Sequence, residues 1–153
     1  MSRTATLAAA ALFALLALAQ PVAAQQLTSA QVISTPKAPA AIGPYSQAIL
    51  VGNTLYLAGQ IAIDPATNQV RPGTIEEETK LVLDNLKAVV EAAGMTMANI
   101  VSTTVFMADL NEFPRMNAVY ATYFPTNPPA RATVQVARLP PDVKVEIAAI
   151  AVR

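Results

Sequence analysis

The chain of 153 residues carries ten basic and ten acidic side chains, has neither cysteine nor histidine, and is 54% hydrophobic. Disulfides, thiolate nucleophiles, cysteine metal sites and imidazole bases or ligands are thereby excluded, so any chemistry falls to carboxylates, arginine, tyrosine, hydroxyls, amides and the backbone. The basic residues are scattered along the sequence, which disfavours non-specific binding of nucleic acid.

Residues 1–24 read as a secretory signal peptide. Arg3 lies near the start, Leu7 to Ala19 is an unbroken apolar run, and "AQPVAA" closes it with small residues. That run is shorter than the roughly 20 residues that cross a bilayer, so the expectation is cleavage after Ala24, no stable membrane anchor, and a periplasmic or secreted product. Cleavage would remove one basic residue and leave a mature chain near −1 in charge, long enough for one domain with one core.

Residues 25–30 have no apolar period and are expected to be a flexible leader before a single domain over 31–153. "QVIST" is a short strand candidate. "PKAPAAIGPYSQ", with three prolines and a glycine, predicts a stiff, accessible loop. "SQAILV", Gly52-Asn53 and "TLYLAGQ" predict a hairpin with a two-residue turn, and "DPATNQVRPG" predicts a further loop. A first helix is signalled by Thr74 with Glu77 three residues on, glutamates in the first turn, and apolar residues at helical spacing from Ile75 to Ala93 before Gly94. "NIVSTTVFMA" predicts a strand. "DLNEFPRMNAVYATYF" predicts a second helix capped by Asn111, with Pro114 tolerated in its first turn. "ARATVQV" and "VKVEIAAIAV" predict the last two strands, joined by "ARLPPD".

This order predicts an α+β fold of about six strands with two helices on one face. Strands such as "VKVEIAAIAV" and "STTVFM" are apolar at positions of both parities, so the helix-free face is expected to be covered as well, most simply by self-association.

Two residues stand out chemically. Alternation puts Arg131, Thr133 and Gln135 on one face of their strand, and two readings fit: a solvated polar face, or a bidentate guanidinium clamp for a carboxylate. Glu146 sits within an apolar strand, where a carboxylate must be paired or have its pKa raised. An ion pair with Lys144 or another cation, and proton exchange with a water or an amine, both fit. Tyr45 on the Pro44-stiffened loop, Gly59 at a strand end and Asn117 on the second helix are unspecific on their own.

The segments "APAAIGPYSQA", "LYLAGQIAIDPATNQV", "LDNLKAVVEAAGM", "VSTTVFMADLNEF", "MNAVYATYF" and "PPARATVQVARLPPDVKVEIAAIAV" together resemble the RidA, or YjgF, family of reactive intermediate deaminases over nearly all of residues 30–153. The resemblance implies a chorismate-mutase-like fold assembled as a homotrimer with clefts between subunits. It also implies hydrolysis of enamines and imines such as 2-aminoacrylate to 2-oxo acids and ammonia, with no metal or organic cofactor. It gives Arg131 the substrate carboxylate and Glu146 the hydrolytic water, and it lines the same cleft with Tyr45, Ala58, Gly59, Asn117 and Thr133. Ala58 stands where many members have serine and Thr133 where many have cysteine, so the alanine bears on substrate range. The signal segment would separate this chain from the cytoplasmic enzymes that make enamines, which leaves a second reading open: a non-catalytic binder of small carboxylates, or a holdase-like protein. Ribonuclease action suits neither the near-neutral charge nor the missing histidines.

Overall fold

The computed structural model describes residues 29–153; the predicted signal segment and residues 25–28 of the leader lie outside the described residues. The chain opens with β1 (Gln31–Ile33), followed after the prolyl loop by β2 (Ala48–Val51) and β3 (Thr54–Gln60). Gly52 adopts φ 58° in the two-residue turn that closes β2 onto β3, the conformation glycine takes without steric cost. The stretch expected as a plain loop contains a second, two-stranded sheet of β4 (Ile63–Asp64) and β5 (Gln69–Val70). Each strand is only two residues long, too short for any alternation to register in the sequence.

Helix α1 (Ile75–Ala92) begins at the expected capping box: Glu77 N donates to Thr74 Oγ1, and Thr74 N donates to Glu77 Oε2. Its stripe of Ile75, Val82, Leu83, Leu86, Val89 and Val90 is fully buried, and Gly94 at φ 70° ends it. Strand β6 (Ile100–Met107) leads to α2 (Phe113–Tyr123). Asn111 is not the cap of that helix. A 3-10 turn over Leu110–Glu112 precedes it, Asp109 accepts from Asn111 N at 2.8 Å, and α2 grows directly out of this turn with Pro114 in its first positions. Strands β7 (Ala130–Gln135) and β8 (Val145–Val152) complete the fold.

The main sheet has the order β1-β2-β3-β8-β6-β7, antiparallel except for β6–β7, so it is mixed and six-stranded with two helices, as expected. β7 and β8 are adjacent in sequence yet do not pair; β8 inserts between β3 and β6. Burial alternates strictly along β8. Val145, Ile147, Ala149 and Ala151 are buried in the core that includes the α1 stripe, while Glu146, Ala148, Ile150 and Val152 stand half-buried on the other face. That helix-free face also carries Tyr56 at 51%, Val101 at 48% and Val134 at 43% exposure. It is an apolar surface of the kind expected to meet another chain.

Candidate active site

Ladder register fixes which way the two candidate residues point. Thr103 of β6 pairs with Arg131 on one side and Ala149 on the other, whereas Phe106 pairs with Glu146. Thr103 and Phe106 are three residues apart, so Arg131 and Glu146 leave opposite faces of the sheet. Arg131 belongs to the helix side and Glu146 to the apolar, helix-free side.

On the helix side, the polar row of β7 is only partly solvated. Gln135 at the strand's end is exposed and Thr133 is half-buried, while Arg131, half-buried too, turns toward α2. Its guanidinium donates to Asn117 Oδ1 at 2.8 Å and lies over two rings, 4.5 Å from the Tyr120 centroid and 5.5 Å from that of Phe113. No carboxylate comes within ion-pair distance of Arg131 among the described residues. With one N–H engaged of the five a guanidinium offers, this arginine keeps donors for an incoming anion. Together with Asn117, Tyr120, Ala121, Phe124, Pro128 and Pro129 it lines an open cleft of about 410 Å³.

On the opposite face, Glu146 lines a second cleft of about 390 Å³ with Tyr45, Ala58, Gly59, Ile42, Ile61 and Pro140. Its carboxylate has no hydrogen-bond or ion-pair partner among the described residues, Lys144 included, and burial raises its pKa above the ordinary glutamate value. Gly59 makes room for it. The β3–β8 register slips between Leu57 and Gln60, and a Cβ on Gly59 would collide with Glu146 Oε1.

Three buried polar side chains pin the segments that build this second cleft. Gln47 donates to the carbonyls of Thr35, Ala38 and Pro39 and accepts from Thr35 N, which stiffens the loop ahead of Tyr45. Asn85, reaching across from α1, donates to the carbonyls of Ile61 and Ile63. Glu78, also on α1 and only 3% exposed, accepts from Gly73 N and, at 2.7 Å, from Lys144 N, two residues before Glu146. Tyr45 itself is exposed, with its hydroxyl 3.3 Å from Ile42 N.

The candidate residues thus divide into two groups: Tyr45, Ala58, Gly59 and Glu146 in one cleft, Arg131 and Asn117 in the other. Thr133 lines neither; its Oγ1 is buried without a hydrogen-bond partner. The aromatic bed beneath Arg131 was not foreseen. Its only trace in the sequence is the spacing of Phe113, Asn117, Tyr120 and Phe124 along one face of the second helix.

The family model for endoribonuclease L-PSP matches residues 35–153. The chain belongs to this family, which includes the RutC, RidA and YjgF proteins. It is 54% identical over 123 residues to the 2-iminobutanoate/2-iminopropanoate deaminase of Rattus norvegicus, covering 80% of this chain and 90% of that protein. Among solved structures, the YjgF gene product of E. coli is 50% identical with a TM-score of 0.77, covering 80% of this chain and 98% of that one. E. coli TdcF, solved with bound serine, is 45% identical with a TM-score of 0.77 over the same shares. These likenesses agree with the mixed sheet and paired helices described above.

Proposed function

We propose that this protein is a 2-iminobutanoate/2-iminopropanoate deaminase, hydrolysing reactive imines and their enamine tautomers to 2-oxo acids and ammonia. High identity to deaminases of that name supports the reaction class. The observation that carries the reading is the pair of incomplete clefts: a guanidinium with free donors and no acid partner, and a half-desolvated carboxylate with no cation. Neither serves an imino acid alone. Each supplies what the other lacks.

The proposed assembly is a homotrimer in which the apolar, helix-free faces meet and the Glu146 cleft of one chain closes against the Arg131 cleft of a neighbour. Exposed Tyr56, Val101 and Val134 supply apolar surface for that contact. In the joint site Arg131 holds the substrate carboxylate by charge-assisted bonds. An enamine first tautomerises to its imine. Glu146 then takes a proton from water as the water oxygen bonds to the carbon of the nitrogen-protonated imine, giving a neutral carbinolamine. Glu146 returns that proton to nitrogen, and as the C–N bond breaks the carbinolamine hydroxyl gives up its proton and closes the C=O. Ammonia leaves, taking up that proton as ammonium, and the 2-oxo acid remains. A raised pKa suits the carboxylate to both steps near neutrality. The apolar wall at Ala58 and Ile61 would receive the imine's side chain. We further propose that the signal segment over residues 1–24 directs export, so that substrates are imines arising outside the cytoplasm; sequencing the N-terminus of the protein from fractionated cells checks this.

Subunit mixing tests the shared site. Arg131→Ala and Glu146→Gln chains, each impaired about 10²-fold or more in its own homotrimer, are unfolded together and refolded as equimolar mixtures, and pyruvate is followed while a serine dehydratase supplies 2-aminoacrylate. Random assembly should restore roughly one quarter of wild-type activity, because one site in four pairs an intact arginine with an intact glutamate across a closed ring. Mixtures no more active than the separate variants would end the reading of a site between chains.

A further inference from the structure

Helix α2 turns Phe113, Asn117 and Tyr120 toward Arg131 at the spacing of a single helical stripe, and Phe124 follows at its C-cap. Asn117 has an evident task, as acceptor for one Arg131 N–H. Tyr120 is more specifically built. The residue is 4% exposed, and its ring centroid is 4.5 Å from Arg131 Cζ, inside the range of cation–π attraction. A phenol this deeply buried needs a partner, and it has one at 2.7 Å in Thr103 Oγ1, itself 2% exposed. Thr103 is the ladder partner of Arg131. The hydroxyl pair therefore locks the ring to the strand register that sets where the guanidinium starts, and Phe124, with ring centroids 4.7 Å apart, packs against Tyr120 as well.

We infer that Tyr120 is a positioning residue for substrate binding: anchored through Thr103, its ring face sets the plane of the Arg131 guanidinium, so that the N–H groups left free by Asn117 meet the substrate carboxylate already aligned. The inference rests on the proposed role of Arg131 as carboxylate clamp. An arginine side chain gives up several rotamers when it is ordered, a cost that an ordered cradle meets before ligand arrives. The face of a π system attracts the cation without neutralising it, whereas a carboxylate in the same place would occupy the donors the substrate needs. This contact is made equally to ground state and transition state, so its loss falls on KM more than on kcat.

The test measures kcat and KM for 2-iminobutanoate, generated by a threonine dehydratase, in wild-type, Tyr120→Phe, Tyr120→Leu, Thr103→Val and Arg131→Ala proteins. Tyr120→Leu is expected to raise KM about three- to tenfold while kcat changes less, the span a cation–π contact of this kind supports. Tyr120→Phe keeps the ring and should recover most of that loss. Thr103→Val should raise KM as Tyr120→Phe does, and combining the two should add little, because both remove one hydrogen bond. A fall in kcat at unchanged KM, the mark of a damaged core, overturns the inference, as does wild-type KM in Tyr120→Leu. If Tyr120→Leu does not fold, wild-type KM in both Tyr120→Phe and Thr103→Val overturns it instead. Wild-type KM in Arg131→Ala would strike the clamp itself. A raised KM there with unaltered Tyr120 variants would strike only the role given to Tyr120.

Discussion

The two clefts are built on opposite physical plans. Around Arg131 the side chains are satisfied and interlocked: the guanidinium is bonded to Asn117 and bedded on Tyr120 and Phe113, and the Tyr120 hydroxyl is bonded to Thr103. Around Glu146 the backbone is pinned from behind by Gln47, Asn85 and Glu78, but the carboxylate itself is left without a partner. The contrast suits the proposed roles: a charge that binds is held still before its ligand comes, and a group that gains and loses a proton is kept free of bonds that would fix its state. The same sheet supports both by using its two faces.

This contrast can be broken by experiment. The largest effect is expected at the unpartnered acid: Glu146→Gln keeps the shape of the group and removes the proton exchange, and should lower kcat by about 10²- to 10⁴-fold with little change in KM. A loss confined to KM would place Glu146 among the binding groups instead. Next comes Arg131→Ala, expected to reduce kcat/KM by roughly 10²-fold through lost charge-assisted bonds, with folding intact because this strand edge is only half-buried. Gly59→Ala sharpens the comparison from the other side. Its Cβ must displace the Glu146 carboxylate, so a fall in kcat of about tenfold is expected, at strain of about 1–3 kcal/mol, read from kinetics and thermal melting of the same sample.

The smallest effect is thermodynamic. Because desolvation raises the folded-state pKa of Glu146, the folded chain holds this proton more tightly than the unfolded chain does. The stability it contributes is present below the unfolded value and is lost as pH rises through the folded one. Glu146→Gln should therefore melt higher than wild type at pH 7, and the gap should close as pH falls through the ordinary carboxylate range. A gap that widened in acid would mean that the carboxylate is stabilised in its charged form, against the environment described here.

Local signals in the sequence proved sufficient where the deciding contacts are themselves local. The capping box at Thr74 and Glu77, the stripe of α1 and the Gly52-Asn53 turn each depend on residues within a few positions, and each is where the pattern puts it. The alternation in "ARATVQV" separates Arg131 from Ala132 correctly. It does not say that Arg131 faces a helix, because its burial depends on α2 packing over an edge strand. Nor can it relate Arg131 to Glu146: whether two residues on different strands share a face is decided by register, which here passes through Thr103 and Phe106 of β6. Asn111 misled because Asp109, two residues earlier, supplies the oxygen that its own backbone needs. Family resemblance gathered all the site residues into one cleft, and within a single chain they divide between two, with Thr133 lining neither.

The central position of β8 has a consequence for biosynthesis. Of the six strands of the main sheet, the last in chain order is the one that joins the β1-β2-β3 hairpin unit to the β6-α2-β7 crossover unit. Until it emerges, β3 and β6 both present bare edges, and the two halves of the protein have no ladder between them. A nascent chain halted anywhere before residue 145 cannot close its sheet, so commitment to the native state waits for β8.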